Sequence, residues 1–99
     1  MASPKGRRRI RQPEDLERVS ILAIEGMAAM IGPLSSILRS FRFHDVQVLG
    51  NSEEAWSRLL NEPKQRPDIL VIDWNAHPIA GPAFVHHMRR AEPAVLAEI

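Results

Sequence analysis

Two carboxylates follow short aliphatic runs, at positions where a parallel sheet would present them to a ligand. Glu25 comes directly after residues 21–24 (ILAI), and Asp73 comes directly after residues 69–72 (ILVI). In an open parallel sheet, ligands collect beyond the carboxyl ends of the strands. If the two runs are neighbouring strands, both acids face one crevice and could act together, for example as the acid pair of a hydrolase. Alternatively, each carboxylate only accepts hydrogen bonds from turn amides.

The elements that must position these acids follow from the alternation of aliphatic runs and amphipathic segments. Three short apolar runs predict strands at residues 19–24, 45–49 and 69–72. Apolar side chains recurring every three or four positions predict helices over residues 27–43, 53–60 and 81–90. Pro33 either starts the first helix or kinks it. Residues 93–99 either begin another strand or fray.

The order β-α-β-α-β-α predicts the fold class. Crossovers between buried parallel strands are right-handed, so this order favours an α/β, three-layer, doubly wound parallel sheet. The 99 residues contain no cysteine, which excludes disulfides, a cysteine zinc site and thiol catalysis. No apolar run approaches the roughly 20 residues of a membrane span, and no secretory signal is recognisable. We therefore expect a cytoplasmic protein without a membrane partner.

The basic residues are unevenly distributed. Five of the thirteen lie in the first eleven positions, which leaves eight basic against twelve acidic residues afterwards, a net charge of −4. We predict a basic, disordered arm over residues 1–17 and one domain over residues 18–99. A nucleic-acid or anionic-surface role for the arm is the alternative. No aromatic residue lies between the arginines to stack on bases, so nucleic acid is not the favoured partner.

Other chemistries find little support in the sequence. His86 and His87 are adjacent on a predicted helix, about 100° apart, and cannot chelate one ion as an i, i+4 pair does. His77 lies in the loop after Asp73, either facing solvent or binding an ion with the acids. Trp74 is either a lid over the acidic crevice or a surface aromatic. Phosphate-loop, nucleophile-elbow and dinucleotide motifs are absent, and we expect no enzyme.

Residues 19–90 resemble the receiver domain of bacterial two-component response regulators. Residues 21–25 (ILAIE) are similar to the first strand of that family with its acidic end. Residues 70–81 (LVIDWNAHPIAG) are similar to the third strand, the phospho-acceptor aspartate and the following loop. Asp73-Trp74-Asn75 is a frequent form of the acceptor tripeptide. Pro78 and Gly81 stand five and eight residues after Asp73, at the positions where the family loop has them.

The resemblance implies a flavodoxin-like receiver fold with strand order 2-1-3, limited to about three βα units. It implies that Asp73 accepts a phosphoryl group from a sensor histidine kinase or a phosphotransfer protein. It also implies a Mg²⁺ cofactor held by Glu25, Asp73 and the backbone carbonyl of Asn75. Gly26 stands where the family has a second metal-binding acid, so this magnesium site lacks one ligand.

A second function follows from the same departures. In the family, a serine or threonine and a lysine on the fourth and fifth strands contact the phosphate. Neither residue has a counterpart in this sequence. The alternative is a pseudo-receiver that acts as an interaction or dimerisation module without phosphorylation. The third strand is apolar on both faces and would be a sheet edge, so we expect a homodimer, poor solubility or a gene fragment.

Overall fold

The computed structural model describes residues 11–92 and 94–99. Its strands are β1 (Ser20–Ile24), β2 (Asp45–Leu49) and β3 (Ile69–Ile72), and its α-helices are α1 (Ala28–Ser40), α2 (Ser52–Asn61) and α3 (Gly81–Arg89). Short 3-10 helices cover Pro13–Arg18, Pro63–Gln65 and Ala94–Glu98. Within the described ranges, no helix has the length and apolar character needed to cross a membrane.

The three strands form one parallel sheet in the order β2-β1-β3. Ile24 of β1 lies between Leu49 and Ile72, so the last residues of all three strands are aligned. The prediction of an α/β fold with strand order 2-1-3 is confirmed, and the central β1 is almost entirely buried. A run that is apolar at both odd and even positions becomes a central strand because both of its faces are covered.

One face of the sheet is covered by α2 and α3. The Asn51 side chain begins α2 by accepting the N–H of Glu54 at 2.9 Å, as its position three residues before a glutamate predicts. Pro82 lies in the first turn of α3, where backbone N–H groups have no acceptor within the helix, so the N–H that proline lacks costs no hydrogen bond. The core on this face consists of Leu22, Ile24, Ala55, Leu59, Ala76, Phe84, Met88 and Leu96. Trp56 packs edge-on against Phe84, with ring centroids 5.6 Å apart.

The opposite face is covered by α1 alone among the described elements. The helix begins at Ala28, and Pro33 is its sixth residue, so the interpretation that Pro33 starts the helix is wrong. The predicted end at residue 43 is also three residues too late, because Arg42 has a left-handed backbone with φ of 62°. No residue of α1 is fully buried, although Ile31, Leu34 and Leu38 are half-buried. This helix packs loosely compared with α2 and α3.

The end of the described chain is neither a strand nor frayed. Residues Ala94–Glu98 form a 3-10 helix whose Leu96 is fully buried in the core beside α3. The Arg89 guanidinium donates to the carbonyl oxygens of Ala97 and Ile99, at 2.9 and 2.6 Å. The two sequence alternatives fail for residues 94–99 because one leucine and one arginine fix the segment against α3 instead.

Part of the predicted arm is ordered. Residues 1–10, which hold four of its five basic residues, lie outside the described residues. Pro13–Arg18, however, form a 3-10 helix, so this part of the predicted arm has regular structure. The N–H groups of Arg11 and Gln12 donate to Asp15 Oδ2, and they hold the pKa of Asp15 below its usual value. The carbonyl of Leu16 then accepts the N–H of His44 at 3.2 Å, which ties this turn to the start of β2.

Candidate functional site

Asp73 lies at the carboxyl end of the sheet, directly after β3. Its backbone N–H donates to the carbonyl of Ile24 at 2.9 Å, which continues the pairing of β3 with β1 by one residue. Its half-buried carboxylate accepts one backbone amide on each oxygen. Gly26 N–H donates to Oδ2 and Asn75 N–H donates to Oδ1, both at 3.1 Å. The side chain is thus oriented by the turns after β1 and β3 rather than by another side chain.

Gly26 makes room for this carboxylate. A Cβ at Gly26 would lie 2.7 Å from Asp73 Oδ2 and 3.0 Å from the carbonyl oxygen of Asn75. Contacts below 3.0 Å do not occur for real Cβ atoms, so any side chain at position 26 would displace the Asp73 carboxylate. The same two distances place Asp73 Oδ2 and the Asn75 carbonyl oxygen on the same side of Gly26, both close to the position that its Cβ would occupy.

Glu25 directly precedes Gly26 but is bonded elsewhere. Its backbone N–H donates to the Leu49 carbonyl at 2.9 Å, so its backbone continues the pairing of β1 with β2. Its Oε1 accepts the N–H of Met27 at 3.1 Å. Of the residues predicted for the site, Asp73 and Asn75 are joined directly by a hydrogen bond, whereas the Glu25 side chain accepts from Met27, the residue before α1.

Gly81 brings the start of α3 against the Asp73 backbone. A Cβ at Gly81 would lie 2.6 Å from the Asp73 carbonyl oxygen and 3.1 Å from the Trp74 Cα. The N–H of Gly81 donates to the Trp74 carbonyl at 3.1 Å, and the N–H of Ala76 donates to the Asp73 carbonyl at 3.0 Å. A glycine eight residues after Asp73 therefore has a steric reason, because only a residue without a side chain allows this approach.

Ser52 is a residue of the site that the sequence analysis did not predict. It is fully buried at the start of α2, and its Oγ accepts the N–H of Ile79 at 2.7 Å. Its own N–H donates to the His77 carbonyl at 3.1 Å. These two bonds fasten the loop after Asp73 to α2. The sequence shows only a serine directly after Asn51, and this pattern is equally typical of an ordinary helix N-terminus.

The aromatic and histidine candidates lie on the surface. Trp74 is 74% exposed, which favours the interpretation of a surface aromatic over a lid. His77 is exposed in the loop, and its peptide bond to Pro78 is cis. His86 and His87 are exposed on α3 with ring centroids 6.1 Å apart. Among residues 11–92 and 94–99, no three histidine or acidic side chains are grouped closely enough to hold a metal ion.

Two cavities lie at the other end of the strands. One of about 300 Å³ is lined in part by Ser20, Asp45, Gln47 and Arg58, and one of about 810 Å³ shares Ser20 and Asp45 and adds Arg18. Ser20 and Asp45 are the first residues of β1 and β2. These cavities are therefore separate from Asp73, which follows the last residue of β3.

No protein-family model, no curated protein and no solved structure matches this chain.

Proposed function

We propose that the protein is a receiver module in which Asp73 accepts a phosphoryl group from a phosphohistidine on a sensor histidine kinase or phosphotransfer protein. The observation that carries this proposal is the position of Asp73 at the carboxyl end of a parallel sheet, where its Oδ2 and the Asn75 carbonyl oxygen lie on the same side of Gly26. Asp73 is partly exposed, and the Trp74 side chain beside it is directed into solvent, so a macromolecular donor can approach the carboxylate. The proposed function is inferred from the residues of this site and not from related proteins.

The residues of the chain can perform the transfer as follows. A carboxylate oxygen of Asp73 attacks the phosphorus in line with the leaving imidazole. The O–P bond forms as the N–P bond breaks, and the imidazole keeps the electron pair and takes up a proton. The amides of Gly26 and Asn75 hold the carboxylate in one orientation, which reduces the entropy lost in reaching the attacking geometry.

Asp73 Oδ2 and the Asn75 carbonyl oxygen are oxygen donors on the same side of Gly26, and we propose that they hold a magnesium ion weakly. Magnesium is commonly held in proteins by one or two carboxylates while it keeps several water molecules. Asp73 Oδ2 and the Asn75 carbonyl would hold it, and Gly26 contributes no ligand. A bound magnesium ion supplies positive charge that offsets the charge on the phosphoryl oxygens.

The proposal is tested by incubating the protein with a small phospho-donor, such as phosphoramidate, and magnesium. We expect intact-protein mass spectrometry to detect one added phosphoryl group, and Trp74 fluorescence to change with it. Asp73→Asn should abolish the adduct. Asp68→Asn is the matched control, because Asp68 lies at the opposite end of β3 and should leave the adduct intact. An adduct that survives in Asp73→Asn contradicts the assignment of Asp73.

A pseudo-receiver is the second candidate, and one observation favours it. Each carboxylate oxygen of Asp73 already accepts a backbone N–H, and Glu25 Oε1 accepts the N–H of Met27. Both carboxylates therefore have hydrogen-bond partners without a bound cation. In that case the protein forms no adduct, and magnesium leaves Trp74 fluorescence unchanged. Such a result removes the phosphorelay function and leaves an interaction module.

Gly26→Asp distinguishes the two candidates further. The new side chain moves the flexible Asp73 carboxylate aside and places a second carboxylate next to it. If Asp73 and the Asn75 carbonyl form a cation site, Gly26→Asp should raise magnesium affinity about tenfold, since a second carboxylate strengthens oxygen coordination. Gly26→Asn has nearly the same shape without the charge and is the control. Equal affinities in the two variants contradict a cation site.

A further inference from the structure

The face of the sheet under α1 leaves large apolar side chains in solvent. On β3, Ile69 and Val71 are 36% and 42% exposed. On α1, Met30 and Ile37 are 45% and 57% exposed. Scattered apolar side chains are normal on a protein surface, but a contiguous group is typical of an interface. Whether these four form one surface depends on how α1 lies on the sheet.

The sheet register assigns the strand residues to the α1 face. Ile69 pairs with Ile21 and Val71 pairs with Ala23, and paired residues in neighbouring strands point to the same face. The core under α2 and α3 takes the alternate residues of β1, namely Leu22 and Ile24. Ile69 and Val71 therefore point to the side on which α1 lies.

The orientation of α1 brings its exposed apolar side chains toward β3. The Arg39 guanidinium donates to the Val46 carbonyl at 3.1 Å, so this flank of the helix faces β2. At about 100° per residue, Met30 and Ile37 lie about 160–180° around the helix from Arg39. Since β2 and β3 are on opposite sides of β1, these two residues face β3.

Together these residues form an open apolar groove between α1 and β3. We define the α1–β3 groove by Met30, Leu34, Ile37, Ile69 and Val71. None of these residues is charged, and β3 carries no proline, glycine or charged residue that would protect an edge strand. A surface of this kind fits an apolar helix flank.

We propose that a second copy of the chain occupies the groove, with its α1 antiparallel to the first. A two-fold interface requires a self-complementary surface, and the charges at the two ends of α1 meet this requirement. Glu25 and Asp73 lie where α1 begins, and Arg42 lies just after its end, where it pairs with Glu17 at 2.9 Å while its side chain stays 81% exposed. In the antiparallel arrangement, each copy brings its Arg42 to the acidic end of the other.

The size of the surface predicts a weak dimer. The 13 residues of α1 span about 20 Å, and a contact about two helix diameters wide covers about 400 Å² on each copy. Standard stable interfaces bury about 800 Å² per partner. We therefore expect a monomer–dimer equilibrium in the micromolar range rather than a permanent dimer. The proposal does not depend on phosphorylation of Asp73.

Sedimentation equilibrium over micromolar concentrations tests the interface. Ile37→Lys and Val71→Lys place a charge in the groove from two different elements, and each should weaken the dimer at least about tenfold. Leu60→Lys is the matched control, because Leu60 is 40% exposed on α2, outside the groove, and should leave the dissociation constant within about twofold. Circular dichroism of each variant verifies that it is folded.

Three outcomes contradict the proposal. One is a wild-type chain that stays monomeric throughout this range, and another is a pair of groove variants that dimerise normally. The third is a Leu60→Lys effect as large as theirs, which would indicate nonspecific association. Any of these means that the groove is not an interface between copies.

The orientation has its own test because the chain has no cysteine. In antiparallel helices related by a two-fold axis, Met30 of one copy lies near Ile37 of the other. Mixing Met30→Cys with Ile37→Cys proteins under mild oxidation should give the mixed disulfide in excess over the two symmetric ones. A preference for symmetric disulfides contradicts the antiparallel arrangement.

Discussion

The two faces of the sheet differ in how completely they are covered. Under α2 and α3, Phe84 and Leu96 are fully enclosed, and the C-terminal 3-10 helix closes the side of the core. Under α1, no helix residue is fully buried, and Val71 of the sheet stays 42% exposed. We call these the closed face and the open face. The same strands serve both, so the difference comes from the covering helices.

In this small protein the closed face provides most of the stability, and the open face provides a surface for interaction. Burial of apolar area is the main favourable term in folding, so the closed face contributes most of it. The candidate site is fastened to the closed face, through Ser52 on α2 and Gly81 on α3. The open face keeps apolar area available for a second chain. We infer that the site can keep its geometry whether or not the open face is covered.

Two phenylalanines provide the most direct test of this difference. Phe84 is fully buried on the closed face, and Phe41 is 54% exposed at the end of α1. Phe84→Ala should lower the free energy of unfolding by about 3–5 kcal/mol because it leaves a cavity. Phe41→Ala should lower it by no more than about 1 kcal/mol, since the side chain is already half in water. Urea denaturation of dilute protein measures both values.

Similar losses in the two variants would contradict a difference in packing between the two faces. They would mean that the open face is packed as tightly as the closed face in solution. The measurement is made at low concentration because a dimer would itself stabilise the open face.

The sequence predicted most of the fold and less of the site. Strand bounds at residues 45–49 and 69–72 agree with the structure because β-branched, aliphatic runs between polar turns have few alternatives. The contact of Leu96 was not predictable, since an apolar residue in a short segment does not reveal its tertiary partner. The position of Asp73 followed from a strand end. Its bond to the Gly26 amide depends on how two turns meet, which periodicity does not encode.

Two glycines test how closely the helices of the two faces approach the rest of the backbone. A Cβ at Gly81 on α3 would approach a backbone oxygen to 2.6 Å, whereas a Cβ at Gly32 on α1 would meet nothing within 4 Å. Gly81→Ala should destabilise the protein by about 1–3 kcal/mol through overpacking and should change Trp74 fluorescence. Gly32→Ala should change its stability by no more than about 1 kcal/mol, because the helix propensity of alanine is opposed by Pro33, which disfavours helical backbone at a preceding residue that carries a Cβ. A stabilising Gly81→Ala would show that α3 is not held against Asp73.

Two serines test whether the loop after Asp73 depends on the closed face. Ser52→Ala leaves the Ile79 N–H without its acceptor and should cost about 1–3 kcal/mol. It should also broaden the backbone amide signals of the loop in NMR spectra, because the loop loses its bond to α2. Ser36→Ala on the exposed surface of α1 is the control, expected within about 0.5 kcal/mol of the wild type. Unchanged loop signals in Ser52→Ala would mean that other contacts hold the loop.

The smallest expected difference is between two ion pairs. Arg66 donates to Glu98 at 3.0 Å with its own side chain only 7% exposed, and this pair holds the C-terminal 3-10 helix. Arg42 pairs with Glu17 at 2.9 Å, with the two side chains 81% and 50% exposed. Glu98→Gln should cost about 1 kcal/mol, because it weakens a bond to a charge that is largely removed from water. Glu17→Gln should stay within about 0.5 kcal/mol, since exposed pairs are screened by water and salt. Thermal unfolding at low and high salt measures both changes. A larger effect for Glu17→Gln would mean that the exposed Arg42–Glu17 pair stabilises the protein more than the partly buried Arg66–Glu98 pair.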